Sequence, residues 1–395
     1  MSEQPAFLPY GRQTIEEDDI AAVGEALRRD LLTTGPLVEL YERQFAQATG
    51  AWHAVACNSG TAALHLAMLA LGLGPGQTAI VPSVTFLSTA NAVRMTGAEV
   101  VFADVDADSG LMTPESFVAA SGRSIAGHVL KTALPVHLGG QTCDMAALAD
   151  LAEARGISLV EDACHALGVA AAGATQHSLM ACFSTHPVKA IATGEGGVVT
   201  TADEMLARRM RDLRNHGMTR DPGAFETRDY ALDGDGTHPW YYEMHEVGWN
   251  YRIPDVLCAL GSSQLKKLNR FHCRRAEIAS LYDRLLAPLA PHLRPVPRGN
   301  RPHGWHLYVV LIDFTALGVT RAELMKALRA QGIGTQVHYI PVHRQPYYRG
   351  RYGAVSLPGA DAYYARCLSI PMYPAMRDAD VSRVAEALGA AIARI

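Results

Sequence analysis

Long apolar runs are missing from this 395-residue chain. Pro82, Gly97 and similar breakers interrupt every stretch that begins to approach a membrane span, and Met1 to Gln13 lacks the apolar core of a secretory leader. A soluble, cytoplasmic protein is expected. Paired cysteines are missing too: the seven cysteines include no C-x-x-C and sit mostly among apolar neighbours, which reads as buried reduced thiols. The sixteen histidines form no H-E-x-x-H and no Cys/His cluster, so no metal site is expected. Charge of one sign is nowhere concentrated. With a net charge of -4 and evenly scattered Lys and Arg, the chain has no basic stripe to track a phosphate backbone, and nucleic acid is not an expected partner. A Walker loop and G-x-G-x-x-G are both absent, which removes the glycine fingerprint of a nicotinamide dehydrogenase. There is no internal repeat and no low-complexity tract.

What is present suits a large, well-buried fold. Hydrophobic residues make up 49% of the chain, and the length exceeds the usual size of one core, so two lobes are expected, 1–255 and 256–395. In the first, apolar strand-like runs (Val55 to Cys57, Thr78 to Val81, Val100 to Val105, Ala133 to Val136, Ser158 to Val160) alternate with helical patterns such as Ala62 to Leu69, Ser88 to Met95 and Met145 to Ala154. Two more strand-like segments follow, Ser178 to Ser184 and Gly196 to Thr200. That rhythm predicts an α/β fold with a mostly parallel sheet covered by helices on both faces. Helices are expected from about Ile15 and over Asp203 to Arg214, then a long aromatic loop over Asp221 to Glu246. The second lobe reads as a helix over Val256 to Leu268, a charged helix near Arg274 to Leu285, a strand over His306 to Ile312, a helix over Arg321 to Ala330, a short strand over Gln336 to Pro341 and a closing helix from Asp380.

Ligands of such sheets collect at the carboxyl ends of the strands, and several chemistry-bearing residues fall there. Lys189, in Thr185-His186-Pro187-Val188-Lys189, lies in a loop between two strand-like segments, followed by Thr193-Gly194-Glu195-Gly196-Gly197. Desolvation lowers a lysine pKa, and a neutral amine can attack a carbonyl, which makes Lys189 a candidate nucleophile; a solvated loop lysine is the alternative. Asp162 directly follows Ser158 to Val160 and Glu161, where a carboxylate needs a cation or hydrogen bonds. A protonated pyridine nitrogen would meet that need. His165, three residues on, can support a cofactor or be a hydrogen-bonded structural histidine. Asn58-Ser59-Gly60-Thr61 precedes a helix and offers free N–H groups and the positive dipole end to a phosphate, or is an ordinary cap. Phe86 either stacks on a flat ring or fills the core. Leu32-Thr33-Thr34-Gly35-Pro36 either holds a polar ligand or turns the chain between helices.

A loop lysine, a strand-end aspartate, a glycine-hydroxyl helix start and an aromatic form the kit for pyridoxal 5′-phosphate. At these residues the sequence resembles the fold-type I aminotransferases, and within them the DegT/StrS group of nucleotide-sugar aminotransferases, over nearly its whole length. The resemblance implies that Gly60, Thr61, Ala62 and Ser184 hold the cofactor phosphate, Asp162 meets the pyridine nitrogen, Phe86 covers the ring and Lys189 forms the Schiff base and moves the proton. Glu195-Gly196-Gly197 matches the family's acidic-Gly-Gly signature, and His165 stands where many relatives carry glutamine. Asn250, in the N-Y-R segment, is implied to reach the phosphate of a neighbouring subunit, making a homodimer with shared sites. Pro9-Tyr10-Gly11-Arg12-Gln13, His186-Pro187-Val188-Lys189 and Pro239-Trp240-Tyr241-Tyr242-Glu243 are similar to the branch that aminates UDP-linked 4-keto sugars for pseudaminic acid. By that similarity Tyr10, Thr33, Thr34, Gly35, His338 and Tyr339 touch the sugar, with L-glutamate as amino donor. Amination of another nucleotide sugar would use the same cofactor residues. A sugar dehydratase would carry histidine at 189. A catalytically silent protein of the same fold would have no reason to keep Asp162, Ser184 and Lys189 together.

Overall fold

The computed structural model describes residues 6–393 apart from 124, 170–172, 174, 234–235 and 300. Two helices, α1 (Glu17–Ala26) and α2 (Pro36–Thr49), precede the alternating body of the chain. That body runs β1 (His53–Cys57), α3 (Gly60–Ala70), β2 (Gln77–Pro82), α4 (Leu87–Met95), β3 (Glu99–Ala103), α5 (Pro114–Ser121), β4 (Val129–Ala133), α6 (Met145–Glu153), β5 (Ser158–Asp162), β6 (Met180–Ser184), β7 (Gly197–Thr201) and α7 (Glu204–Leu213). Its strands form one seven-stranded sheet in the order β1-β7-β6-β5-β4-β2-β3. Only β7 runs against its neighbours; the pairs from β6 to β3 are parallel.

Both faces of the sheet are covered, and the alternation of side chains shows it. On β6, Met180 and Cys182 enter the large core with α3, whereas Ala181 and Phe183 enter a second cluster with Tyr41 and Phe45 of α2. On β7 the same division separates Val199 from Val198. The helix α2 starts where Pro36 supplies a favourable first residue and Asp255 accepts the Gly35 and Leu37 N–H groups at 2.8 and 3.0 Å. The residues before it bend, with Thr33 in an isolated bridge to Pro254.

After α7 the aromatic stretch folds as short pieces: β8 (Met218–Thr219), α8 (Arg228–Ala231), β9 (Leu232–Asp233), β10 (Gly236–Thr237) and β11 (Glu243–Met244). Then α9 (Asp255–Leu265) packs on α1 and α2, and α10 (Leu268–Leu286) leads to β12 (Leu293–Pro295), β13 (Tyr308–Ile312), α11 (Arg321–Ala330), α12 (Pro346–Tyr352), α13 (Pro358–Arg366), β14 (Cys367–Ile370) and α14 (Asp378–Ala393). Strands β12, β13 and β14 make an antiparallel sheet with its own core, including Ile278, Tyr282, Val310, Leu328 and Val384. No described helix is long and apolar enough to cross a membrane.

Two strand expectations differ from the structure. The run Ala133 to Val136 continues past β4, because Pro135 has no N–H for a ladder; Pro135 O instead accepts from Asp162 N at 2.8 Å, and Val136 makes an isolated bridge to Asp162. Gln336 to Pro341 forms no strand. Only Gln336 pairs, with Ser369, before the chain turns to bring His338 and Tyr339 over the large sheet.

Candidate active site

Lys189, Asp162, Ser184 and Phe86 meet in one cavity of about 430 Å³ at the carboxyl ends of β2, β5 and β6. Gly60, Thr61, Tyr10, His165, His338 and Tyr339 also line it. Ten of the residues singled out from the sequence are therefore brought together. Ala62 is buried one step behind, where its N–H is taken by Ser59 Oγ at 3.1 Å.

Four residues lie elsewhere in the chain. Thr33 and Thr34 are exposed and Gly35 packs against Asp255, where a Cβ would come within 2.6 Å of the carboxylate. Asn250 is exposed, pairs with Asn215, and accepts from Asn58 Nδ2 through its backbone carbonyl at 3.3 Å.

Each corner of the cavity follows from local structure. At the start of α3, Gly60 presses against β6: a Cβ there would stand 2.8 Å from Ser184 Cβ. The first-turn N–H groups and the Ser184 hydroxyl thus face one space, and glycine is what permits the approach. Asp162 ends β5, nearly buried, and accepts from Thr89 Oγ1 at 2.6 Å and from Cys164 N at 3.2 Å. One bond to each carboxylate oxygen fixes the group's plane and leaves lone pairs for a cationic partner. Phe86 is 54% exposed although large and apolar. It stands at the start of α4, 5.9 Å from the Tyr339 ring, so the core reading of this residue gives way to a bare face suited to stacking.

Lys189 closes the constellation. Its backbone N–H bonds His186 O at 2.8 Å, holding a tight turn after Ser184. Burial pulls its amine below lysine's ordinary range, against the opposing pull of Cys164 and Asp162. Three buried histidines, His165, His306 and His338, lie near it and are held neutral. Burial takes His338 down to about 3, and pushes His165 and His306 well below the imidazole range with help from Lys189. No described lysine or arginine other than Lys189 lines the cavity.

Thr89, Cys164, Gly139 and His306 were not legible as site residues. Thr89 reaches Asp162 across 73 positions of sequence, and its signal, one turn of helix after Phe86, has meaning only once α4 is seen to cross the end of β5.

Residues 13–389 match the DegT/DnrJ/EryC1/StrS aminotransferase family. The chain belongs to that family. It is 41% identical over 387 residues, 97% of this chain and 96% of the relative, to the spore coat polysaccharide biosynthesis protein SpsC of Bacillus subtilis strain 168. Among solved structures it resembles Helicobacter pylori PseC, an aminotransferase involved in the biosynthesis of pseudaminic acid, with a TM-score of 0.88, 26% identity and coverage of 98% of this chain and 100% of that one. It also resembles DesI, solved in the presence of its TDP-sugar product, with a TM-score of 0.84, 31% identity and coverage of 99% and 94%. This family member is a pyridoxal 5′-phosphate-dependent sugar aminotransferase. The cavity fits that cofactor at a glycine-lined hydroxyl cradle, an oriented carboxylate, a bare aromatic face and an enclosed amine.

Proposed function

We propose that the protein moves an amino group from L-glutamate to C4 of a UDP-linked 4-keto-6-deoxy-N-acetylhexosamine, as in pseudaminic acid synthesis. The observation that carries the reaction is the meeting of Lys189, Asp162, Ser184 and Phe86 in one cavity. When bound, pyridoxal 5′-phosphate supplies a carbonyl that takes up the amino group and a ring that draws electrons from the adjacent carbon. Lys189 Nζ would hold the cofactor through that carbonyl, and glutamate would free the lysine amine by taking its place. The freed amine would carry the proton from the glutamate Cα to the cofactor carbon bearing the new nitrogen, with 2-oxoglutarate leaving, and in the second half, after the keto sugar condenses with loss of water, would move a proton from that carbon to C4 of the sugar. Asp162, oriented by Thr89 and Cys164, would hold the pyridine nitrogen protonated. Gly60, Thr61 and Ser184 would bind the phosphate, Phe86 would cover the ring, and Tyr10, His338 and Tyr339 would contact the sugar; Ala62, its N–H already given to Ser59, backs the cradle.

The sugar assignment is supported by the likeness to PseC and by Tyr10, His338 and Tyr339, which line the cavity together with Lys189. The greater identity to SpsC favours a second reading, amination at C3 or C4 of a sugar on another nucleotide carrier for a surface polysaccharide. In either case we infer a cytoplasmic homodimer in which Thr33, Thr34, Gly35 and Asn250 complete the neighbour's site, with 1–255 as the cofactor lobe and 256–395 as the smaller one.

Incubating the holoenzyme with glutamate and UDP-, dTDP- or GDP-linked 4-keto sugars, and resolving the product by NMR, decides between them. A UDP-linked 4-amino-N-acetyl sugar is expected. Turnover of a dTDP- or GDP-linked sugar alone overturns the carrier, and conversion of none of the sugars overturns the reading.

A further inference from the structure

His165 uses both of its ring nitrogens on the protein itself. Its Nδ1 lies 3.2 Å from the backbone nitrogen of Gly139, and its Nε2 lies 3.2 Å from the Tyr339 hydroxyl. A backbone N–H can only donate, so Nδ1 must present a lone pair. The ring is buried, packed 4.3 Å from His306 and near Lys189 and His338, surroundings that keep it uncharged. A neutral imidazole with a bare Nδ1 carries its hydrogen on Nε2. That hydrogen is directed at the Tyr339 oxygen, which therefore accepts. The tyrosine's own hydrogen is left to point elsewhere, and Tyr339 lines the cavity beside Phe86.

The anchor of this chain is built into the backbone. Gly139 and Gly140 both have positive φ, 67° and 100°, and a Cβ at Gly140 would stand 2.8 Å from Trp305 N. Gly139 O accepts the N–H groups of His306 and Leu307, both at 3.1 Å, so the turn that donates to His165 is tied to the residues that lead into β13. Rotating His165 would strand the Gly139 N–H in a buried place, at a cost that fixes the tautomer.

We infer that Gly139 and His165 act as a polar relay that turns the Tyr339 hydroxyl hydrogen toward an oxygen of the sugar substrate, with His165 the positioning residue for that tyrosine. This rests on the sugar aminotransferase reading and deepens it. A hydrogen directed in this way favours a carbonyl or hydroxyl oxygen at that place over an ammonium group, which has no lone pair to accept it.

Two measurements test the relay. Long-range ¹⁵N–¹H NMR on histidine-labelled holoenzyme, with the His165 signal assigned by its loss in His165→Gln, reads the tautomer without any sugar. A bare Nδ1 and a protonated Nε2, unchanged between pH 6 and 8.5, are expected; a protonated Nδ1 overturns the inference whatever the substrate proves to be. Kinetics then use Tyr339→Phe, His165→Leu, the double variant and His165→Gln, whose amide offers both an acceptor for Gly139 and a donor for Tyr339. Losing one neutral hydrogen bond lowers kcat/KM for the keto sugar about five- to tenfold in either single variant. The double variant should fall no further, His165→Gln should regain most of the loss, and the glutamate half-reaction, followed by absorbance, should suffer several-fold less than the sugar half. Additive losses, no rescue by glutamine, or equal damage to the glutamate half would each overturn it, the last by moving the acceptor oxygen from sugar to cofactor.

Discussion

Thr89 Oγ1 donates to Asp162 Oδ2 across 2.6 Å, and Thr85 Oγ1 stands 2.7 Å from the same hydroxyl. Thr89 has one proton and gives it to the carboxylate, so Thr85 must donate to Thr89. The end of α4 that carries Phe86 is in this way tied to the strand end that carries Asp162, and the ring-stacking and ring-charging groups are set by one chain of hydroxyls.

Thr89→Val keeps the volume and removes the donor. A bond to a charged acceptor is worth ~1.5–3 kcal/mol, so kcat/KM should fall by about ten- to a hundredfold, while Thr89→Ser stays within a few-fold. Adding Thr89→Val to Asp162→Ala should cost nothing further, because the hydroxyl acts only through the carboxylate. Steady-state kinetics of the four proteins closes the cycle, and independent losses would show that Thr89 works elsewhere.

Lys189 should titrate below the ordinary lysine value of 10.5 because burial penalises its charged form. The rate at which cofactor-free protein takes up pyridoxal 5′-phosphate covalently should then rise with pH around a midpoint under 10.5. The stability sign follows: the folded state binds this proton less well than the unfolded chain. This group therefore opposes folding at low pH, and the penalty lifts as pH climbs from the folded pKa toward 10.5. Lys189→Met should remove that part of the slope in denaturant titrations of the cofactor-free protein, and an unchanged slope would assign it to other groups.

Glu99 at the head of β3 ties α12 and α4 to the large sheet. Its carboxylate accepts from Arg351 Nε and from the Tyr352 hydroxyl, both at 2.7 Å, and pairs with Arg94 at 2.8 Å. These partners, Arg351 first, take its pKa down to about 2 from 4.5. A depressed carboxylate contributes stability that is complete above the unfolded value and is lost as pH falls from about 4.5 toward 2. Glu99→Gln should lower stability at pH 7 by about 1–3 kcal/mol and flatten the acid limb over that window. Equal acid sensitivity in the variant would remove Glu99 as its source.

Legibility in the sequence divided along a physical line. Runs such as Val198-Val199-Thr200 and Met180 to Ser184 were readable because a doubly covered strand is largely apolar; the helix expected over Arg321 to Ala330 is found there, and the structure adds the Thr320–Glu323 capping box that starts it. Lys189, Asp162 and Gly60 were readable because each is an unusual residue at a strand end or helix start. Helix α5 (Pro114–Ser121) and strand β14 (Cys367–Ile370) escaped: the first has only eight residues and the second four, too short for periodicity to speak. The Gly139–His165–Tyr339 relay escaped for another reason. Its three members lie 26 and 174 residues apart, and only the folded chain sets hydrogen-bond directions between them.

The cross-subunit role of Asn250 is open to a mixing experiment. In its own chain Asn250 is exposed and does not line the cavity, although its carbonyl bonds Asn58 beside the phosphate cradle. Suppose Lys189→Ala and Asn250→Ala chains are co-expressed with different tags and the mixed dimer is purified. If each site takes its lysine from one chain and its asparagine from the other, one site of the mixed dimer inherits both defects and the other inherits none. About half of wild-type activity should return, with unaltered cofactor affinity at the intact site. If Asn250 serves its own chain, each site carries one defect and no activity returns. The Asn250→Ala homodimer must itself be impaired, as expected from losing a bond to a charged phosphate, worth ~1.5–3 kcal/mol. A verified mixed dimer without recovered turnover would return Asn250 to its own subunit and leave the roles of Lys189 and Asp162 as they stand.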